Sequence, residues 1–329
     1  MLYTSTCLSP GTTHAAWLRI GTYGSQTDNK EHHLACRGLR GGNETLVIMR
    51  TGSTELEAKL PVHLATTLRC FPHKLLFSDA AEIYHGHNII DALSSVSDEL
   101  KEHHPDFELY RRLRKGRNVL EASELHDWRA EAVHESWTGH TDNPGWKLDK
   151  WKFMPMMKRT LHEYPVGIKW YVFVEADTYT LWPSLLDYLT TLDHTKPYYS
   201  GVEVYIANDP FAHGGSAFII SLPAMRLVVE YYDTHQREVE EFTDRHWAGD
   251  CILGKFLAKA GVALTSAWPV MQGDYPGIVP YIAFDGRPRP PTDVNIWCSQ
   301  AVIYHHVGPS AVEELWRLEQ QWVSGFREY

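Results

Sequence analysis

Two carboxylates separated by one small residue follow a short apolar segment in the middle of the chain. Glu175 and Asp177 flank Ala176, and the five residues before them, Trp170 to Val174, are all apolar or aromatic. Five residues are too few for a helix core, and their β-branched and aromatic types predict a buried strand. Both carboxylates would then lie at the carboxyl end of that strand, where open α/β sheets bind their ligands. Such a pair suits a hard divalent cation that itself holds a phosphate, although acidic turns after strands are common.

A glycine pair and a histidine pair lie further along the chain, each next to a short apolar run. Gly214 and Gly215 precede one run, and His305 and His306 follow another. Adjacent glycines permit close approach of the backbone to a ligand, or simply form a tight turn. Two histidines at a strand end suit a metal ion or a hydrogen-bond relay, although most of the 19 histidines must be structural.

One more acid stands at the start of a helical pattern. Asp250 precedes residues 251–260, whose apolar side chains recur at helix spacing. An acid at this position usually caps free backbone N–H groups and interacts favourably with the helix dipole. The local pattern therefore indicates a cap.

Polar residues also end two strands predicted near the start of the chain. Thr51 and Gly52 follow a predicted strand at 46–49, and Asp79 follows a second at 74–77, with a helical pattern between them. This is a βαβ unit, whose two strand ends lie side by side at one edge of the sheet. A nucleotide could bind at that edge.

The elements that position these residues alternate between strands and helices, which predicts an α/β fold. At 329 residues, one large domain is simpler than two. Residues 1–44 lack periodicity and predict a loosely ordered arm, while 45–329 form the domain. Within it, 89–125 predict a solvated helical insert, and 269–293, rich in Pro, Gly and aromatic residues, predict a long ordered loop or lid.

Charge and composition exclude several classes of protein. The net charge is −10, and the only basic cluster, 111–115, predicts a solvated helix face, so duplex nucleic acid is disfavoured as a partner. No segment approaches the roughly 20 apolar residues of a membrane span. Residues 1–20 do not resemble a signal peptide, so either the protein is cytosolic or a targeting segment is missing from this chain. The five cysteines do not have the spacing of a zinc site. They are therefore either structural thiols, or two disulfides and one remaining thiol.

Five motifs, in order along the chain, resemble glycosyltransferase family 31, the inverting β1,3-transferases that include the fringe enzymes and the core 1 β1,3-galactosyltransferases. The resemblance runs from about residue 46 to the C-terminus. The matching segments are Met49-Arg50-Thr51-Gly52 with the later Arg69-Cys70, the DxD-like Glu175-Ala176-Asp177-Thr178-Tyr179, His213-Gly214-Gly215-Ser216, Gly249-Asp250-Cys251-Ile252-Leu253-Gly254, and Ala301-Val302-Ile303-Tyr304-His305.

This resemblance implies a GT-A fold with a Rossmann-like mixed central sheet, in which 45–200 mainly bind the nucleotide and 201–329 mainly bind the acceptor. The implied activity is a hexosyltransferase that moves a hexose or N-acetylhexosamine from a UDP-sugar donor to a glycan or glycoprotein hydroxyl, forming a β1,3 linkage. The implied location is the Golgi lumen of the secretory pathway, with the cytoplasm as the alternative.

The resemblance also implies a metal site and a general base. Asp177 and His305 would ligate Mn²⁺, with Mg²⁺ as an alternative, and Glu175 would lie near the ribose or a metal-bound water as a further contributor to the metal site. Asp250 would take the proton from the acceptor hydroxyl. Three alternatives stay open: a catalytically inactive carbohydrate-binding protein of the same fold, a metal-dependent phosphoesterase, and a cytosolic transferase of unrelated fold.

The donor-binding residues implied by the resemblance are Thr51, Gly52 and Asp79 for the uridine and Gly214 with Gly215 for the donor sugar. Departures from the family pattern affect the metal geometry and the substrate preference: Glu and Ala replace the first two acids of the triplet, and a glycine replaces the acid that often precedes the base.

The resemblance also carries two expectations about the cysteines. It implies a disulfide between Cys251 and Cys298, which would tie the helix of the base to the strand of the metal ligand. A bridge between Cys36 and Cys70 is a further expectation.

Overall fold

The computed structural model describes residues 39–116, 120–125, 143–164, 166–277 and 299–325. Most of the predicted N-terminal arm, the last part of the predicted loop at 269–293, and three of the cysteines therefore lie outside the described residues. No helix in the described part carries an apolar stretch long enough to cross a membrane.

The described strands are β1 (Thr45–Arg50), β2 (Lys74–Ser78), β3 (Glu82–Tyr84), β4 (His87–Asp91), β5 (Trp170–Glu175), β6 (Tyr179–Thr180), β7 (Tyr199–Gly201), β8 (Glu203–Ile206), β9 (Asp209–Ala212), β10 (Phe218–Ser221), β11 (Leu264–Ser266) and β12 (Ile303–Tyr304). A mixed eight-stranded sheet forms the centre of the molecule, in the order β11-β7-β10-β5-β1-β2-β4-β3. Strands β5, β1, β2 and β4 run parallel, whereas β3 and β10 run antiparallel to their neighbours. Two smaller sheets pair β6 with β12 and β8 with β9.

Helices cover both faces of this sheet. Those described in full are α1 (Leu56–Ala65), α2 (Asp98–His103), α3 (Glu108–Leu113), α4 (Pro144–Glu163), α5 (Trp182–Thr190), α6 (Leu222–Arg245), α7 (Gly249–Lys259) and α8 (Pro309–Gly325). The start of α4 is fixed by Asn143, whose side chain accepts a hydrogen bond of 2.9 Å from the Gly145 N–H. Pro144 occupies the first helical position, where no N–H is needed.

The central strands are apolar throughout because they are buried on both sides. In β1, Leu46 and Ile48 pack into one cluster with residues of α4, α6 and α7. Val47 and Met49 pack into a second cluster with residues of α1 and α5. Side chains alternate across a strand, so a strand between two helical layers needs apolar residues at every position. The predicted α/β class with a mixed sheet flanked by helices is confirmed.

Two predicted segments differ from the structure. The segment 89–125 is not a purely solvated helical insert: Ile89 and Ile90 belong to β4, and Phe107 and Leu109 are fully buried. The charged residues between these apolar positions made the whole segment look solvent-exposed in the sequence. The last predicted strand exists, but β12 pairs with β6 outside the central sheet.

The predicted Cys251–Cys298 disulfide is wrong, because Cys251 is a free thiol. Its side chain is fully buried in a small apolar cluster with Phe211 and Ala248. Cys70 is disulfide-bonded to a residue outside the described part of the chain, so its pairing with Cys36 stays a prediction.

Candidate functional site

Three adjacent parallel strands deliver the predicted polar residues to one edge of the sheet. β1 lies between β5 and β2. Arg50 is paired with Glu175 of β5 on one side, and its partner on the other side is Phe77 of β2. The residues that follow these strands, including Thr51 and Asp177, therefore meet at the carboxyl edge. Open α/β sheets bind ligands at this edge.

A cluster of three side chains at this edge could hold a metal ion. Asp177, His305 and His306, which together form the cation cluster, offer ligand atoms that all lie within 4.8 Å of one another. Asp177 Oδ1 lies 3.5 Å from His305 Nε2. That oxygen is buried and accepts no hydrogen bond from the part of the chain that the structure describes. A desolvated carboxylate oxygen without a hydrogen bond costs free energy unless a cation lies close to it, so the donor set fits a divalent ion.

Backbone and side-chain contacts fix the turn that carries Asp177. Its carbonyl oxygen accepts a hydrogen bond of 2.8 Å from the Val307 N–H, which joins the turn to the segment after β12. The preceding carbonyl, of Ala176, lies 2.9 Å from Nε2 of the fully buried His63. Burial lowers the pKa of His63 to about 4, so the ring is neutral and donates from one nitrogen only. The backbone of the turn is thus fixed by contacts with two other segments of the chain.

The ring of His305 is held between a glycine and a second histidine. A Cβ atom at Gly215 would lie 2.2 Å from Cε1 and Nε2 of His305, so no side chain fits there. The His213 ring stands edge-on to His305 with centroids 5.3 Å apart, and His213 Nδ1 is hydrogen-bonded to Ser216 Oγ at 2.7 Å. Burial lowers the pKa of His213 to about 3, which keeps it uncharged beside the cluster.

Lys59 balances the charge of Asp177. Its ammonium lies 3.2 Å from Asp177 Oδ2 and 2.7 Å from a carboxylate oxygen of Glu55. Burial alone would raise the pKa of Asp177, but Lys59 and His305 hold it well below its ordinary value. Burial would lower the pKa of His305, yet the Asp177 carboxylate raises it above 6.5. Nothing in the sequence distinguished Lys59 from a solvated helix residue.

Glu175 faces a different partner from the cluster. Its Oε1 pairs with the guanidinium of Arg50, which also pairs with Asp149 and stacks 4.2 Å from the Phe153 ring centroid. Burial raises the pKa of Glu175, and the neighbouring carboxylates Asp177 and Asp149 add to this, while Arg50 opposes it. Glu175 was predicted near the metal, and it lies next to the cluster without contributing one of the three ligand atoms. Sequence reasoning did not identify Arg50 as a site residue, although the sequence shows an arginine at the end of a buried strand.

The predicted nucleotide-binding residues are connected to this network by a buried ion pair. Lys152 Nζ lies 2.7 Å from Asp79 Oδ1 and donates to the carbonyl of Thr51 at 3.2 Å. Asp79 Oδ2 accepts a hydrogen bond of 2.6 Å from the Ser53 N–H. Asp79 therefore holds the loop of Thr51 and Gly52 in place, and its contact with a nucleotide stays a prediction.

Asp250 lies at the first turn of α7 beside the other glycine of the pair. Its Oδ2 accepts a hydrogen bond of 2.8 Å from the Gly214 N–H, and its Oδ1 accepts one of 2.8 Å from the Cys251 N–H. A Cβ at Gly214 would lie 3.4 Å from Asp250 Oδ2 and 3.3 Å from Glu175 Oε1, so both carboxylates border the same glycine. Burial raises the pKa of Asp250, and the two backbone donors partly offset this.

Comparisons of the chain with known proteins give a similarity at the level of solved structures. No protein family matches the chain. No curated protein matches it either. Among solved structures, the chain is similar to a glycosyltransferase involved in the glycosylation of the major capsid of PBCV-1, at 9% sequence identity and a TM-score of 0.30, over 83% of this chain and 99% of that chain.

Proposed function

We propose that this protein is an inverting, divalent-metal-dependent glycosyltransferase that moves a hexose or N-acetylhexosamine from a UDP-sugar to a hydroxyl of a glycan or glycoprotein, forming a β1,3 linkage. One observation carries the proposal: the Gly214-Gly215 turn contacts the cation cluster on one side and the Asp250 carboxylate on the other. Metal ligands and a basic carboxylate thus border one short segment of backbone at the ligand-binding edge of the sheet.

The proposed donor site uses the cation cluster. Asp177 and His305 would hold Mn²⁺ or Mg²⁺, with His306 as an additional donor. When bound, the cation neutralises the negative charge that develops on the leaving nucleotide diphosphate. Lys59, 3.2 Å from Asp177, adds a second positive charge at the same place. Thr51, Gly52 and Asp79 remain the proposed uridine contacts.

The proposed base is Asp250. Its carboxylate takes the proton of the acceptor hydroxyl while that oxygen forms a bond to the anomeric carbon. The bond from the anomeric carbon to the diphosphate oxygen breaks on the opposite face, and its electron pair leaves with the diphosphate. Burial raises the pKa of Asp250, which makes it a stronger base than an exposed aspartate.

One observation favours a second candidate, a carbohydrate-binding protein of the same fold without turnover. Both oxygens of Asp250 already accept backbone hydrogen bonds, which is also the arrangement of a structural helix cap. Such a protein would bind a glycan but no nucleotide, and it would transfer nothing. A phosphoesterase is less well supported, because such enzymes usually gather more carboxylate and histidine ligands than this cluster offers within the described residues.

A screen of UDP-sugars distinguishes these functions. UDP release is measured with each donor, with Mn²⁺ or EDTA, and with or without simple glycoside acceptors. We expect EDTA-sensitive release with one donor, increased by an acceptor. Mn²⁺-dependent thermal stabilisation by UDP would exclude the carbohydrate-binding protein, and the absence of both stabilisation and release would overturn the proposal in its favour. The expected Golgi location belongs to the same proposal.

A further inference from the structure

A stacked pair of tryptophans stands beside the proposed base and has no role in the site described so far. Trp146 lies in the first turn of α4 and Trp247 in the loop between α6 and α7. Their ring centroids are 6.0 Å apart with an angle of 16° between the planes. Trp247 is 42% exposed, and Trp146 is half-buried. Exposed indole surface is unfavourable in water, so a stacked and accessible pair points to a ligand.

Neighbouring side chains pack against the pair and link the two elements that carry it. The His246 ring stacks on Trp247 at 6.3 Å and 6°, and Phe242 stacks on His246 at 5.4 Å and 19°. The ammonium of Lys150, on α4, donates to the carbonyl of Asp244 at 3.2 Å, which ties α4 to the end of α6. An aromatic surface held in this way loses little conformational entropy on binding.

The pair is also close to two carboxylates of the site. α7 starts directly against α4: a Cβ at Gly249 would lie 2.9 Å from the backbone of α4. Trp247 precedes Asp250 by three residues, and Trp146 precedes Asp149 by three residues of helix, which places Trp146 and Asp149 on the same side of α4. Chain connectivity therefore keeps the α-carbons of Trp247 and Asp250 within roughly 10 Å of each other.

We propose that the Trp146–Trp247 face is the subsite that binds a neutral sugar ring of the acceptor. This inference rests on the proposed function. The apolar C–H face of a pyranose packs on an indole, and its hydroxyl groups donate to carboxylates such as Asp250. The same carboxylates and the net charge of −10 repel an anionic ligand such as a phospholipid headgroup.

The test measures saccharide binding directly, by calorimetry on the full chain. The probes are methyl glycosides of galactose, glucose, mannose, fucose, N-acetylglucosamine and N-acetylgalactosamine, together with lactose and chitobiose. Each is titrated alone and again with saturating UDP and Mn²⁺. Trp247→Ala and Trp146→Ala should weaken binding about tenfold, because they remove on the order of 50 Å² of apolar contact. Trp247→Phe, which keeps an aromatic face, should lose less.

A matched control uses another exposed tryptophan. Trp268 is 46% exposed and follows β11, three strands from β5 in the sheet, so Trp268→Ala should bind as the wild type does. Stabilisation by UDP and Mn²⁺ should be unchanged in every variant, which shows that each one is folded. If Trp247→Ala alone fails to fold, Trp146→Ala and the graded loss in Trp247→Phe still test the face.

Several results would overturn the inference. They are equal saccharide affinity in wild type and the alanine variants, no binding of any probe by the wild type, or sedimentation of the wild type but not Trp247→Ala with phosphatidylcholine vesicles. Failure of the proposed function gives a different result: the wild type would then lack UDP stabilisation while the titrations without UDP still report on the tryptophans.

Discussion

The imidazole of His305 lies against the α-carbon of Gly215, so close that a Cβ there would fall 2.2 Å from two of its ring atoms. The glycine pair was predicted to let the backbone approach a donor sugar. In the structure, Gly215 makes room for a protein side chain that belongs to the cation cluster. The turn and the cluster are therefore one structural unit, and a methyl group at Gly215 should act on the metal site.

Gly215→Ala should displace the His305 ring and weaken Mn²⁺-dependent binding of UDP, because the ring cannot stay beside a Cβ at that distance. Gly308→Ala is the matched control: it lies three residues from His305, and its Cβ would meet nothing within 4 Å. The measurement is the rise in melting temperature with UDP and Mn²⁺ over a metal titration. Equal Mn²⁺ dependence in the two variants would contradict the assignment of His305 to the cluster.

The three cluster residues should differ in their effect on metal binding. Asp177→Asn and His305→Ala each remove a proposed metal ligand, so they should abolish the Mn²⁺-dependent part of the stabilisation by UDP. At a ligand concentration 100 times Kd, stabilisation by a bound ligand is worth about 2.7 kcal/mol. His306→Ala should do less, because His306 is exposed. UDP affinity in the presence and absence of Mn²⁺ is the measurement. Unchanged affinity in Asp177→Asn would remove the cation site from the proposal.

The parallel core of the fold could be predicted because its signals are local. The apolar run at 170–174 predicted strand β5 and placed the two acids at its carboxyl end. The same reasoning placed Thr51 and Asp79 at the ends of neighbouring strands. What failed depended on tertiary packing. Cys251 was paired on resemblance, and its thiol is buried among apolar side chains without a bridge.

The rest of the site could not be read from the sequence because it depends on contacts distant in the chain. Lys59 lies on a helix with ordinary spacing, and only the fold brings its ammonium to Asp177. His306 was already a candidate ligand from the sequence, but its left-handed backbone, with φ at 56°, could not be predicted, because few residues other than glycine adopt that conformation. His213 matched a motif, but its contact with His305 follows from the turn.

A buried carboxyl group outside the site should make stability depend on pH. Glu319, on α8, is 4% exposed, and its Oε2 accepts a hydrogen bond of 2.6 Å from Tyr179. Burial raises the pKa of Glu319 from 4.5 to about 7. The protonated form is favoured by folding, so this contribution is fully present below pH 4.5 and is lost as the pH rises through 7. The difference corresponds to roughly 3 kcal/mol.

Glu319→Gln is the variant that tests this pH dependence. It stays neutral and keeps an acceptor for the Tyr179 hydroxyl, so it should be more stable than the wild type at pH 8 and nearly equal to it at pH 4.5. The free energy of unfolding in urea at the two pH values provides the comparison. Glu314→Gln, an exposed neighbour on α8, is the control. Parallel pH profiles for the wild type and Glu319→Gln would show that Glu319 is ionised in the folded protein.

The variant Asp250→Asn distinguishes the proposed transferase from the proposed carbohydrate-binding protein. The proposed base acts on the acceptor and touches no member of the cation cluster, so UDP and Mn²⁺ affinity should stay nearly unchanged. Turnover should fall about 10²- to 10⁴-fold. The amide can still accept from one of the two backbone N–H groups, so the structural cost should be about 1 kcal/mol. Transfer rate, donor affinity and melting temperature are measured on the same variant.

Asp98→Asn provides the control for that experiment, because Asp98 is an exposed acid at the start of α2 whose ion-pair partner, Lys101, lies on the same helix. It should lose a little stability and no activity. If Asp250→Asn behaves in the same way, active and only slightly less stable, Asp250 is a helix cap. The base would then be sought at Asp274, whose carbonyl accepts a hydrogen bond of 3.3 Å from the His305 N–H and which therefore borders the cation cluster.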